Sequence, residues 1–232
     1  MKLSPLLLLT GLLPMVSLTH AQELLLHDDF TGPQADVNMR RPADQWLGVN
    51  WIATQPSLQL DGSGNVVSPE GGGLMSVALK DAPQNVGLLK IHVSMTPRGN
   101  SPGSAIAFGF VPESGLEERA PWVAVSSQGS GREGKIVLNS GPGNGGRRVA
   151  IDLPDSTQER RDLTMEYNLE TARVRILEGE KEVYSGTIAF DGVDAQPIPR
   201  ENLVRAVILF VDQSPADSES PGQVHDFRLE SD

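Results

Sequence analysis

Beyond residue 22 the chain alternates apolar and polar residues with a period of two through most of its length. Leu89, Ile91, Val93 and Met95 fall on one side of an extended segment, with Lys90, His92 and Ser94 on the other. The same alternation sets Ile106, Phe108 and Phe110 against Ala105, Ala107 and Gly109, and Leu163, Met165 and Tyr167 against Thr164, Glu166 and Asn168. Ile136 and Leu138 continue it, followed by Val149, Ile151 and Leu153, then Val174 and Ile176 opposite Arg173 and Arg175. This period puts successive side chains on opposite faces of a strand, and no stretch keeps a helical period. Many short strands with one apolar face each predict an all-β, two-sheet antiparallel β-sandwich.

Two segments refine the prediction. Leu203 to Val211 is nearly all apolar and reads as a central strand, buried on both sides. Val224 to Leu229 alternates, which places His225, Phe227 and Leu229 on one face. The first strand, Leu24 to Phe30, is similar in character, and each terminal strand needs a neighbour for its backbone groups. Pairing the first strand with the last makes residues 22–232 a single domain. The Gly- and Pro-rich stretches at Asp61–Gly73, Pro97–Gly103, Ser126–Gly134 and Ser140–Gly146 read as loops between strands.

The N-terminus differs from the rest. Lys2 precedes an apolar run from Pro5 to Leu18 that is broken by Gly11 and Pro14, and Thr19-His20-Ala21 supplies a small-x-small cleavage site. This order predicts a signal peptide over residues 1–21 and a secreted or periplasmic protein. The run is too short for a comfortable membrane span, so no membrane contact is expected once the leader is removed. The chain contains no cysteine, which excludes disulfides, thiol catalysis and Cys-based metal sites. Its net charge of −11 repels phosphate backbones and excludes nucleic acid as a natural partner.

The most informative segment runs from Arg161 to Tyr184. It reads as three strands joined by tight turns at Asn168–Ala172 and Gly179–Lys181, with Asn168 capping the first turn and Gly179 supplying a positive φ to the second. This pair of hairpins resembles those of laminin-G-like and concanavalin A-like jelly-roll domains. The opening Asp28-Asp29-Phe30-Thr31-Gly32, the Trp51-Ile52-Ala53 strand and the closing Val224–Leu229 strand also resemble secreted bacterial members of that superfamily. The resemblance implies a jelly roll and a glycan or polysaccharide partner. Its members include carbohydrate-binding modules, lectins, adhesion domains and endo-glycosidases, so function must be read from the site.

Enzyme chemistry finds little support in the residues. Glycoside hydrolysis needs two carboxylates across the scissile bond. Jelly-roll glucanases resembling this chain carry theirs on one strand as Glu-x-Asp-x-x-Glu or a near variant. Only Glu178-Gly179-Glu180-Lys181-Glu182 offers a comparable alternation, and it falls on a hairpin turn in water. Glu117-Glu118 and Asp28-Asp29 are adjacent pairs that point to opposite faces. No Gly-x-Ser-x-Gly elbow is present, and the glycine-rich run Gly141–Gly146 lacks the Lys-Ser/Thr and helix of a phosphate loop.

Binding chemistry fits better. Trp46, Trp51 and Trp122 are the three tryptophans, and Trp122 and Trp51 are the expected sugar-stacking residues, Trp122 favoured by its place after a loop. Arg148, beside Arg147 at the glycine-rich run, is the expected polar contact. If the terminal strands pair, Asp29 and Asp226 become neighbours, and the resemblance implies a structural calcium in that region. The expectation is a secreted, non-enzymatic glycan-binding protein. The alternatives are a structural or adhesion module of the cell envelope that binds protein, and a divergent glycoside hydrolase or polysaccharide lyase.

Overall fold

A computed structural model describes residues 23–54, 58–96, 104–112, 123–128, 134–140, 148–153, 160–187, 197–211, 213, 215–217 and 221–232. The expected leader, Trp122 and the loops at 97–103 and 141–146 lie outside the described residues.

The chain starts with β1 (Glu23–Asp28) and five two-residue strands: β2 (Ala35–Asp36), β3 (Asp44–Gln45), β4 (Ile52–Ala53), β5 (Gln59–Leu60) and β6 (Val66–Val67). Longer strands follow as β7 (Gly73–Ala78), β8 (Leu88–Thr96), β9 (Ala105–Val111), β10 (Val123–Gln128), β11 (Gly134–Ser140) and β12 (Arg148–Leu153). The predicted double hairpin is β13 (Arg161–Asn168), β14 (Arg173–Glu178) and β15 (Lys181–Thr187). A 3-10 turn at Arg200–Asn202 leads into β16 (Arg205–Val211), and β17 (Gln223–Ser231) completes the chain. No α-helix occurs among the described residues.

These strands form two antiparallel sheets. The ten-stranded sheet runs β15-β14-β13-β8-β17-β6-β5-β2, with β1 beside β17 and β3 beside β1; the seven-stranded sheet runs β12-β11-β10-β9-β16-β7-β4. Their apolar sides meet in one core. Leu89, Ile91, Val93 and Met95 of the first sheet and Ile106, Phe108 and Phe110 of the second are fully buried in it. As predicted, β16 is central, with Ala206, Ile208 and Phe210 in the core and Val207 buried on the opposite side.

The hairpin turns form for the expected reasons. Asn168 Oδ1 accepts the backbone N–H groups of Glu170 and Thr171, at 3.1 and 2.7 Å, and the Thr171 hydroxyl. Gly179 adopts φ +58° at the second turn, where a side chain would be strained. Glu178 pairs with the buried Arg161 and Glu182 with Arg175, so the acidic run is an ion-paired hairpin that is exposed from Gly179 to Glu182.

The terminal strands pair, with Asp28 opposite Phe227 and Glu23 opposite Ser231. One edge of β17 lies along β8, while the other is shared by β1 and by β6 at Gln223 and Val224. The register of β17 shifts between Val224 and Asp226, and this corrects the expected face of His225. The bulge takes up one residue, so Val224 joins Phe227 and Leu229 in the core while His225 leaves their side. His225 donates from Nδ1 to Asn65 Oδ1 at 2.6 Å, and its Nε2 lies 2.8 Å from the Thr96 hydroxyl. The stretch Asp61–Gly73, read as a loop, contains β6 and the start of β7.

At the end of β1 the Asp28 side chain is wholly buried. Its carboxylate accepts Arg40 Nε and Nη2 at 3.0 and 2.8 Å, Trp51 Nε1 at 2.8 Å and the Phe30 N–H at 3.0 Å. Breaking a buried ion pair from one side leaves an uncompensated charge in the core. Arg40→Ala is therefore expected to cost about 3–5 kcal/mol in urea unfolding at neutral pH. The double variant Asp28→Asn with Arg40→Ala should recover part of that loss, and no recovery would mean that the pair matters through packing alone.

Candidate functional site

The two outward faces of the sandwich carry different chemistry. On the seven-stranded sheet, the register aligns Arg148, Asn139, Ala124, Gly109, Val207, Ser76 and Ile52 in one row across all the strands. The centre of this face is small and apolar. Ala105, Val111, Ala124, Val137 and Val207 are buried although they alternate away from the core. Gly109 is required here, because a β-carbon would collide with the Val123 carbonyl and Ala124 of the neighbouring strand. Among the outward positions of the described strands of this sheet, Asp152 is the one carboxylate.

The outward face of the ten-stranded sheet is polar. Direct register partners place Asp44, His27, Arg228, His92 and Thr164 in a row across β3, β1, β17, β8 and β13. At a strand spacing near 4.8 Å this row spans roughly 19 Å. His27 Nε2 donates to Asp226 Oδ2 at 2.7 Å, and its Nδ1 lies 3.6 Å from Asp44 Oδ2. Arg228 Nε donates to Asp226 Oδ1 at 3.2 Å, and His92 Nδ1 lies 3.1 Å from the Thr164 hydroxyl. A parallel row of alternating sign runs Glu230, Lys90, Glu166 and Arg175. Lys90 Nζ comes within 3.0 Å of Glu230 Oε2 as an ion pair but is not aligned to hydrogen-bond it. Arg175 binds Glu166 at 2.6 Å and Glu182 at 2.8 Å. A third row places Asp226, Ser94 and Asp162 together, with Arg160 Nε on Ser94 Oγ at 2.7 Å.

By sequence the chain matches no family model and no curated protein. Solved structures share its architecture. An endo-1,3-beta-glucanase from Streptomyces sioyaensis superposes with a TM-score of 0.58 at 13% identity, covering 90% of this chain and 96% of that one. Beta-agarase A from Zobellia galactanivorans gives 0.60 at 11% identity, covering 90% and 92%. The CBM2 module of the evolved Dit of Lactobacillus casei BL23 phage J-1 gives 0.51 at 11% identity, covering 90% and 95%. The fold is the concanavalin A-like jelly roll. Identities this low carry the fold and no further property.

Within this jelly roll the expected site residues are scattered. Trp51 is in the core rather than on the surface. Its ring packs against Phe30 and Phe227 at centroid distances of 6.0 and 5.1 Å, leaving no face for a sugar, and Asp28 takes its N–H. Arg148 opens β12 opposite Asn139 on the seven-stranded sheet, and Trp122 lies outside the described residues. Asp29 and Asp226 do come to the same end of the terminal strand pair, but their carboxylates take different partners. Asp29 Oδ1 accepts the Thr31 N–H and hydroxyl, which hold its carboxyl below the usual carboxylate range. Asp226 is bound to His27 and Arg228. Among the described residues no three His, Asp or Glu side chains converge as metal ligands.

The side chain that the sequence reading passed over is Trp46, whose surface is 57% exposed. It immediately follows β3, whose Asp44 begins the His27 and Arg228 row. Only the burial of Trp51 beside the Asp28 carboxylate distinguishes the two tryptophans, and that partnership joins residues 23 positions apart.

Burial lowers the affinity of His92 and His225 for a proton, opposed at His92 by Asp226 and reinforced at His225 by Arg160. Both folded values thus lie below the unfolded imidazole value of 6.5. Their contribution to stability is complete above that pH and is lost as pH falls through the lowered folded values. The melting temperature should fall on acidification below pH 6.5, and His92→Gln or His225→Gln should make the fall shallower. An identical pH profile in both variants would assign the fall to carboxylates instead.

Proposed function

We propose that the protein is an exported, non-enzymatic glycan-binding jelly roll. The observation that carries this reading is the contrast between the two outward faces. Glycosidic cleavage needs two carboxylates about 5–9.5 Å apart, one of them held protonated by an apolar setting. The described central strands of the seven-stranded sheet present no carboxylate at their outward positions, where small and apolar residues predominate. On the ten-stranded sheet, the carboxylates of Asp226, Glu166, Glu182 and Glu230 each face a cationic partner or a histidine. Carboxylates paired in this way serve as hydrogen-bond acceptors and ion-pair partners. Paired acceptors and donors on a rigid sheet suit the recognition of hydroxyl groups. The shared fold with a carbohydrate-binding module and with an agarase solved in complex with oligoagarose supports this reading. The leader expected over residues 1–21 would place its action outside the cytoplasm.

A glycan array with the purified protein should give defined ligands, and incubation with β-glucan, agarose or mucin glycans should release no new reducing ends. Reducing sugar that accumulates with time and enzyme concentration would overturn the non-enzymatic reading. An empty array together with stable capture of an envelope protein would favour an adhesion module.

A further inference from the structure

Trp46 is the exposed aromatic side chain among the described residues, and it projects from a backbone held on both sides. Its own N–H donates to Leu25 O at 3.0 Å, and the Gln45 side chain before it accepts the Val49 N–H at 2.6 Å. Gln45 pairs with Leu26 of β1 while Asp44 pairs with His27, so the segment is locked in register against the sheet. The indole therefore stands on a fixed stretch of backbone without serving the core, and an aromatic side chain has only two torsions to order when a ligand arrives.

Next to it lie the groups that hydroxyls require. Asp44 is two residues away, about 7 Å along an extended chain. Asp44 is 72% exposed and Arg228 is 51% exposed, and between them His27 and Asp226 are hydrogen-bonded to each other at 2.7 Å. Two carboxylates offer acceptors and the exposed guanidinium offers donors, which together match the dual character of a sugar hydroxyl, while His27 holds Asp226 in place through its own hydrogen bond. Two carboxylates against one guanidinium leave the group acidic, so an anionic ligand would meet Asp44, Asp226 and a chain of net charge −11.

We propose that Trp46, Asp44, His27, Asp226 and Arg228 form a glycan subsite at the β3–β1–β17 corner of the ten-stranded sheet, and that it takes an uncharged pyranose. The ring stacks its C–H face on the indole and turns its hydroxyls towards the carboxylate and guanidinium groups. This inference rests on the glycan-binding reading above.

The test uses the full exported protein on neutral and acidic oligosaccharides, followed by titration of the best neutral ligand at low and high salt. Trp46→Ala should weaken binding roughly tenfold or more, as expected for a central aromatic anchor, with an unchanged melting temperature. Asp44→Asn, at a well exposed position, should weaken binding without touching the fold, and added salt should change the affinity by less than about twofold. Wild-type affinity in both variants, with binding lost in Trp122→Ala, would overturn this subsite and leave the glycan reading standing. A preference for sulfated or uronic acid glycans that vanishes in salt would overturn the uncharged ligand. A wild-type protein that binds no glycan would overturn both readings.

Discussion

A carboxylate with no access to water must be fully hydrogen-bonded where it sits, and Asp28 meets that demand with donors from three separate places. The demand shapes the whole N-terminal quarter. Phe30 takes φ +54° as the chain turns back on the carboxylate, and Arg40 reaches in from the loop and also binds Thr31 O. Trp51 is drawn under the sheet, where it also fills the space between Phe30 and Phe227. Of the short strands, each too brief to hold itself, β3 pairs with β1 and β6 with β17, while β4 joins the other sheet beside β7. The first of these pairings sets the geometry of the β3 corner, with Asp44 opposite His27.

The sandwich divides its chemistry between two faces. The seven-stranded sheet packs tightly on both sides, and the contact of Gly109 with its neighbour strand leaves no room for even a methyl group. On the ten-stranded sheet the row Glu230, Lys90, Glu166 and Arg175 alternates in sign across the strands, so that these charges find opposite neighbours at strand spacing. Exposed pairs of this kind add little stability singly. Their effect is to hold long side chains in fixed directions over a flat polar surface.

Where the sequence has a period to read, the fold was legible. Strands β8, β9, β13 and β14 carry enough alternating residues to show their buried side, β16 shows itself as an apolar run, and the Asn168 and Gly179 turns name themselves through their chemistry. The two-residue strands have no period, and a single bulge at His225 reverses the parity on which the reading of β17 depended. The site was less legible for a related reason. Asp29 and Asp226 lie towards the same end of the paired strands, but which partners a carboxylate takes depends on groups that the sequence pattern does not align, here Thr31 for Asp29 and the distant His27 for Asp226. Trp46 and Trp51, five residues apart, have opposite fates that local composition does not encode.

The position of β17 has a consequence for how the protein comes into being. It comes last in chain order yet stands between β8 and β1 in the middle of its sheet. β8 and β1 belong to one sheet only through β17, which pairs with both. Contacts between residues far apart in the chain form slowly. The docking of β17 between strands made about 130 and about 200 residues earlier is therefore expected to set the pace at which the sandwich closes.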